Sequence, residues 1–169
     1  NHPRELPPEA FECLNLLMKS EVSLVNQTPM VKGVNDDPEV LAELFSKLSY
    51  IGVPPYYVFL CRPTLGNETY SVPVERGYEI FEKSRTLCSG LAKRARLVMS
   101  HESGKIEVLG MSEDQIFFKF LRAADKINDA RFMAFFRNPE ACWFDDYQEA
   151  SEEFSLFASN KTCETGISS

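Results

Sequence analysis

Metal-spaced cysteine pairs, neighbouring histidines, glycine-rich loops, long apolar runs and an excess of positive charge are all missing from this 169-residue chain. Each absence closes off a class of function. The five cysteines (Cys13, Cys61, Cys88, Cys142, Cys163) are widely scattered and odd in number, which fits neither a disulfide framework nor a CxxC knuckle, so a cytoplasmic location is expected. His2 and His101 have no second His or Cys at ligand spacing, and no metal site is expected from them. The net charge of -7 repels phosphates and anionic lipid headgroups, which argues against nucleic acid and membrane surfaces as partners. No apolar stretch approaches the roughly 20 residues that cross a bilayer, and the opening NHPRELPPEA does not resemble a signal peptide. A phosphate-cradling P-loop fails at Gly104-Lys105: Met99 stands where its first glycine belongs, and Ile106 where a Ser or Thr is required. The chain opens on Asn1 rather than Met, as expected of a fragment.

What is present is enough for one folded domain, with 44% hydrophobic residues. Ala10, Phe11, Leu14, Leu17 and Met18 form the apolar stripe of a helix over residues 9–19, behind the Pro7-Pro8 breaker. A short β-branched strand is predicted at 21–27. Asp36-Asp37-Pro38-Glu39 supplies a capping carboxylate, a proline for the first helical position and an acid at the positive helix end. The helix it starts has Leu41, Leu44, Phe45 and Leu48 inward and stops at Gly52. Residues 56–61 read as a strand covered on both faces, and 74–84 as a third helix entered through Pro73. This alternation is that of parallel βα units. From about residue 95 the pattern turns to hairpins, with strands at 95–100, 105–111, 115–121 and 131–136. The last residues, rich in Ser, Glu and Thr, read as a frayed tail. Two βα units cannot close a barrel, since a (β/α)8 barrel takes about 250 residues, so further chain or another subunit is expected at the open sheet edge.

Lys105, between two strand-like runs, is either a solvated hairpin lysine or an amine nucleophile. Arg62 follows an apolar strand at its carboxyl end, where α/β sheets and barrels place ligands; a guanidinium there suits a carboxylate or phosphate, or else an ordinary rim salt bridge. Gln27, expected at the end of the preceding strand, could present its amide at the same height, with a turn role as the plainer reading. His2 alone is weak, since an isolated histidine is more often a surface or packing residue.

In order and together, NHPREL, NQTPMVKGVND, PPYYVFLC, the LG of TLGN, CSGLA and the SGK at 103–105 resemble the second half of lysine 2,3-aminomutase-type radical S-adenosylmethionine enzymes, over roughly residues 1–110. The resemblance implies an α/β fold with the second half of a partial (β/α)6 barrel at 1–100 and a pyridoxal phosphate (PLP) lysine turn opening 101–150; the β-rich character of 101–150 and the disordered tail at 151–169 are read from the residues themselves. The resemblance also implies PLP on Lys105 as a Schiff base, S-adenosylmethionine near Gln27 and His2, and a [4Fe-4S] cluster. The CxxxCxxC loop that carries such a cluster is missing, so the chain alone is expected to be inactive. An electron donor for the cluster and a homo-oligomer are the implied partners, with an amino acid as substrate. The turn HESGK is less glycine-rich than the family's PGGGGK.

Two departures bear on substrate. Lysine-specific members have an aspartate at the position of Arg62, and a second aspartate before the PLP lysine is replaced by Ser100 or a neighbour. Two anions have become a cation and a neutral group, which disfavours lysine and welcomes a distal carboxylate, glutamate being the simplest candidate. This reading requires Lys105 and Arg62 to face a shared pocket. Asp37 stands where some members have a zinc-binding cysteine and reads as a helix cap, so no zinc is expected. The competing readings are a lysine 2,3-aminomutase, a PLP-independent relative acting on a protein-bound lysine, and a non-catalytic interaction module built on the aromatics of 111–150. Those aromatics, from Phe117 to Phe144, are expected to form a local core or a subunit contact.

Overall fold

A computed structural model describes residues 1–150, so the expected tail at 151–169 lies outside them. The described chain is mixed α/β, with three helices and one six-stranded sheet. The elements are α1 (Pro8–Lys19), β1 (Asn26–Met30), α2 (Pro38–Tyr50), β2 (Pro55–Leu60), α3 (Val74–Thr86), β3 (Arg96–His101), β4 (Gly104–Met111), β5 (Gln115–Ala123) and β6 (Phe132–Phe136). Spatial order follows chain order. β1, β2 and β3 run parallel, and β3 to β6 are antiparallel neighbours. The change of pattern near residue 95 therefore falls inside one continuous sheet.

Local chemistry explains most boundaries. The Asp37 carboxylate caps α2 by accepting from Glu39 N at 2.8 Å and Val40 N at 3.2 Å, while Asp36 instead accepts from Gly33 N. Leu41, Leu44, Phe45 and Leu48 of α2 are all buried. Beyond its last turn, Gly52 adopts a φ of 85°, the left-handed conformation glycine takes without strain.

Three expectations are corrected. The strand predicted at 21–27 begins at Asn26 instead, because Thr28 and Met30 are the residues that bury beneath the helices, whereas Val22 and Val25 stay exposed. Packing overrides β propensity there. Pro29 is tolerated inside β1 because this strand is a sheet edge. Second, β2 is not covered on both faces: Val58 and Leu60 are buried, Tyr57 and Phe59 only partly, and Tyr56 is exposed. Third, the α1 stripe is only partly inward. Leu14 and Met18 pack with Leu44, Leu48 and Val53, while Leu17 remains 48% exposed.

The sheet has a covered and an open face. Alternate residues Met30, Val58, Leu60, Leu97, Met99 and Ile106 join Phe45, Ile80 and Phe81 in the main core. The aromatics of 111–150 extend that core: Phe118 lies 5.6 Å from Phe135 and 5.3 Å from both Phe144 and Tyr147, centroid to centroid. Most of them are thus housed within the chain as a local core, while Phe117 and Phe132 are only partly buried and Phe136 is exposed. Nearly buried Glu75 of α3 closes this region by accepting from Arg137 Nε at 2.9 Å and Asn138 N at 2.7 Å.

Candidate active site

Lys105 is the second residue of β4 and lies on the open face. Its register partners are Ser100 on β3 and Arg122 on β5. Tyr57 and Phe59 project from the same face, and Lys105 Nζ lies 4.4 Å from the Tyr57 ring centroid and 4.9 Å from that of Phe59. The ammonium therefore rests on two aromatic faces. Tyr57 Oη donates to Tyr56 Oη at 3.1 Å, and that bond and then burial push the Tyr57 pKa up. Ser100, His101, Gly104, Arg122, Ala123 and Ala124 share with Lys105 a shallow depression of about 240 Å³. Arg122 forms no ion pair with another described residue.

Farther down the open face sits Glu107, paired with Arg96 at 3.7 Å. Burial is the main influence on it and raises its pKa, against the opposing pull of Arg96 and Lys119.

Two residues anchor the turn before Lys105. Gly104 has a φ of 141°, and a Cβ there would collide with the Arg122 carbonyl oxygen. His101 Nδ1 accepts from Ser103 N at 3.1 Å and lies 2.7 Å from Ser103 Oγ. One glycine and a histidine thus hold a turn that the family resemblance would build from several glycines.

Arg62 lies just past the carboxyl end of β2, exposed, in an adjoining depression of about 340 Å³ with Pro63, His101, Glu102, Trp143, Asp145 and Asp146. Lys105 and Arg62, expected to face a shared pocket, line two adjoining depressions on the same side of the molecule, with His101 lining both. The cause is direction: Lys105 lies over the open face, whereas Arg62 has already left the sheet. Two of the acids beside Arg62 are otherwise engaged. Asp145 Oδ2 is 3.0 Å from His101 Nε2, and Asp146 accepts from Cys142 N and Trp143 N at 2.9 Å each. Among the described residues, no carboxylate lies within ion-pair distance of the Arg62 guanidinium.

Gln27 and His2 come together elsewhere, in a depression of about 360 Å³ at the β1 edge with Asn1, Val25 and Asn26. Gln27 pairs in register with Tyr57 and so sits toward the amino end of the parallel strands, not at the carboxyl-end height expected for it. It nonetheless shares the open face with Tyr57. His2 Nδ1 accepts from Arg4 N at 3.1 Å, capping a short 3-10 turn.

Sequence reasoning missed Tyr57 and Phe59 as a platform, Arg122, and the bonding of His101. Period-two spacing in PYYVFL was the available signal for the first pair. Nothing local marks Arg122 or Asp145, because both are brought in by long-range pairing. Among the described residues, no group of three His, Cys, Asp or Glu is arranged to hold a metal ion.

No family model matches the chain. Among curated proteins, it is 56% identical over 154 residues to an Aquifex aeolicus (strain VF5) protein named "Putative L-lysine 2,3-aminomutase", covering 91% of this chain and 41% of the relative. It is 42% identical over 90 residues to the L-lysine 2,3-aminomutase of Clostridium subterminale, covering 53% and 22% respectively. It is 34% identical over 104 residues to the glutamate 2,3-aminomutase of Clostridioides difficile (strain 630), covering 62% and 25%. The chain thus spans less than half the length of the relatives it matches. On these similarities, this chain belongs to the lysine 2,3-aminomutase-like family.

Proposed function

We propose that this chain is part of a radical S-adenosylmethionine, PLP-dependent 2,3-aminomutase, which moves an amino group from the α to the β carbon of an acidic amino acid such as glutamate. On this reading residues 1–100 are the closing part of a partial (β/α)6 barrel, and 101–150 present the PLP lysine. The protein acts in the cytoplasm, with an electron donor and further copies of itself as partners.

The side chains suit PLP in chemical type. Lys105 offers the amine and Arg122, in the same depression, a cation for the phosphate. Gln27 and His2 are the proposed contacts toward S-adenosylmethionine, with Gln27 offering an exposed amide. When bound, PLP would carry the migrating nitrogen and adenosylmethionine would supply the hydrogen-abstracting radical. The chain's own part is to bind, orient and charge-match: Tyr57 and Phe59 fix the reach of Lys105, Ser100 keeps its flank neutral, and Arg62 grips the substrate's far end. The described residues do not offer a ligand set for an iron–sulfur cluster.

Arg62 is the observation that carries the substrate assignment: a guanidinium at the strand's carboxyl end, with no carboxylate at ion-pair distance among the described residues. A free anion would complete it. The test is turnover of glutamate, aspartate, alanine and lysine by the reconstituted intact enzyme. Glutamate is expected to react fastest, with Arg62→Ala lowering kcat/KM for glutamate on the order of 100-fold. Preference for lysine would overturn the assignment. That second reading has its own support, since Glu102, Asp145 and Asp146 line the same depression and the 56%-identical relative bears a lysine name. Lys105→Ala is expected to abolish the visible absorbance of bound PLP, and retention of the band would remove Lys105 from the account.

A further inference from the structure

We propose that His101 is a positioning residue for Lys105, fixing the turn that presents the amine and tying it to the segment that follows β6. The inference rests on the PLP reading above and adds a residue to it.

The His101 side chain is only 7% exposed, and both ring nitrogens are engaged. Nδ1 receives the Ser103 backbone N–H at 3.1 Å, with Ser103 Oγ 2.7 Å away. An acceptor at Nδ1 puts the ring proton on Nε2, which donates to Asp145 Oδ2 at 3.0 Å. Phe144 and Trp143 set the ring plane, with centroids 5.5 and 6.1 Å away. Ser103 is pinned on its other side as well, its carbonyl accepting from Ala124 N at 2.7 Å. At Gly104 the backbone then runs so close to β5 that a Cβ there would strike the Arg122 carbonyl oxygen. Lys105 follows directly, so its backbone position is set by a bond to a nearly buried imidazole that also lines the depressions of both Lys105 and Arg62.

The two ring nitrogens can be separated by substitution. Asn places an acceptor near Nδ1 and abandons Asp145, whereas Gln reaches toward Asp145 and abandons the turn. In the intact enzyme, His101→Gln is expected to weaken PLP binding on the order of 10-fold and to shift the Lys105-dependent visible band. His101→Asn should restore both toward wild type. Melting temperature of the cofactor-free protein reports any purely structural role, and the two variants should match in it. Equal loss of PLP affinity in both, or loss in neither, overturns the proposal. Should His101→Gln fail to fold, Ser103→Ala is the milder probe: it deletes only the hydroxyl and should weaken PLP binding about fivefold, and unchanged binding would count against the proposal. A wild-type enzyme with no Lys105-dependent band would instead sink the PLP reading, and this inference with it.

Discussion

At the scale of single residues, the open face depends on charges whose partners come from other strands. Glu107 shows the consequence for pH. Burial makes its ionised form unfavourable in the folded chain, so its pKa lies above the ordinary value of 4.5. Between that value and the raised one the folded state binds more protons than the unfolded state, and stability from this group falls as pH rises. Melting Glu107→Gln beside the wild type should therefore show the gap moving in favour of the variant from pH 4.5 upward; a gap moving the other way would mean that the Arg96 pairing dominates. Lys105 and Arg62 were both legible as candidates from the sequence, one by its SGK motif and one by its place after an apolar run. Their neighbours were not. The rings beneath Lys105 are some 45 residues earlier in the chain, and only the register of β2, β3 and β4 brings them under it.

At the scale of elements, the β3–β4 hairpin is the critical piece. Gly104 combines a left-handed φ with backbone contact against β5, so Gly104→Ala adds both strain and overlap. The expected cost is about 3 kcal/mol, read as a lower denaturant midpoint, together with loss of the ordered amine at position 105. An unchanged midpoint would show that the turn adapts freely. Helix boundaries were the easier part of the sequence. Asp37-Pro38 and Gly52 act on their own backbone within a few residues, and α2 starts and stops where those residues dictate. β1 was harder. Its β-branched stretch lies outside the strand, and the strand itself contains a proline that only an edge position permits.

For the whole molecule, the parallel and antiparallel parts form one sheet over one main core. The aromatics after residue 111 are what extends that core beneath β5 and β6. Phe118 is fully buried and meets three other rings, so Phe118→Ala should cost about 4 kcal/mol and loosen the segment carrying Trp143, Asp145 and Tyr147. Hydrogen exchange at residues 141–147 would report that loosening, and unaltered protection there would show the cluster to be dispensable. Since these rings are buried against their own chain, any contact between copies has to be sought on other surfaces, such as the open face where Phe117 and Phe132 stack at 5.6 Å.

The sequence by itself determined the alternation of helices and strands, the capped ends of α2, the hairpin grammar after residue 95 and the motifs of the aminomutase-like family. All of these follow from periodicity, caps and residues close together in the chain. Only the tertiary structure decided that Lys105 lies on Tyr57 and Phe59, that Arg62 occupies an adjoining depression, and that His101 reaches Asp145. Those relations are fixed by strand register and by which face of the sheet the helices bury, and both are collective outcomes of packing that no local stretch of chain encodes.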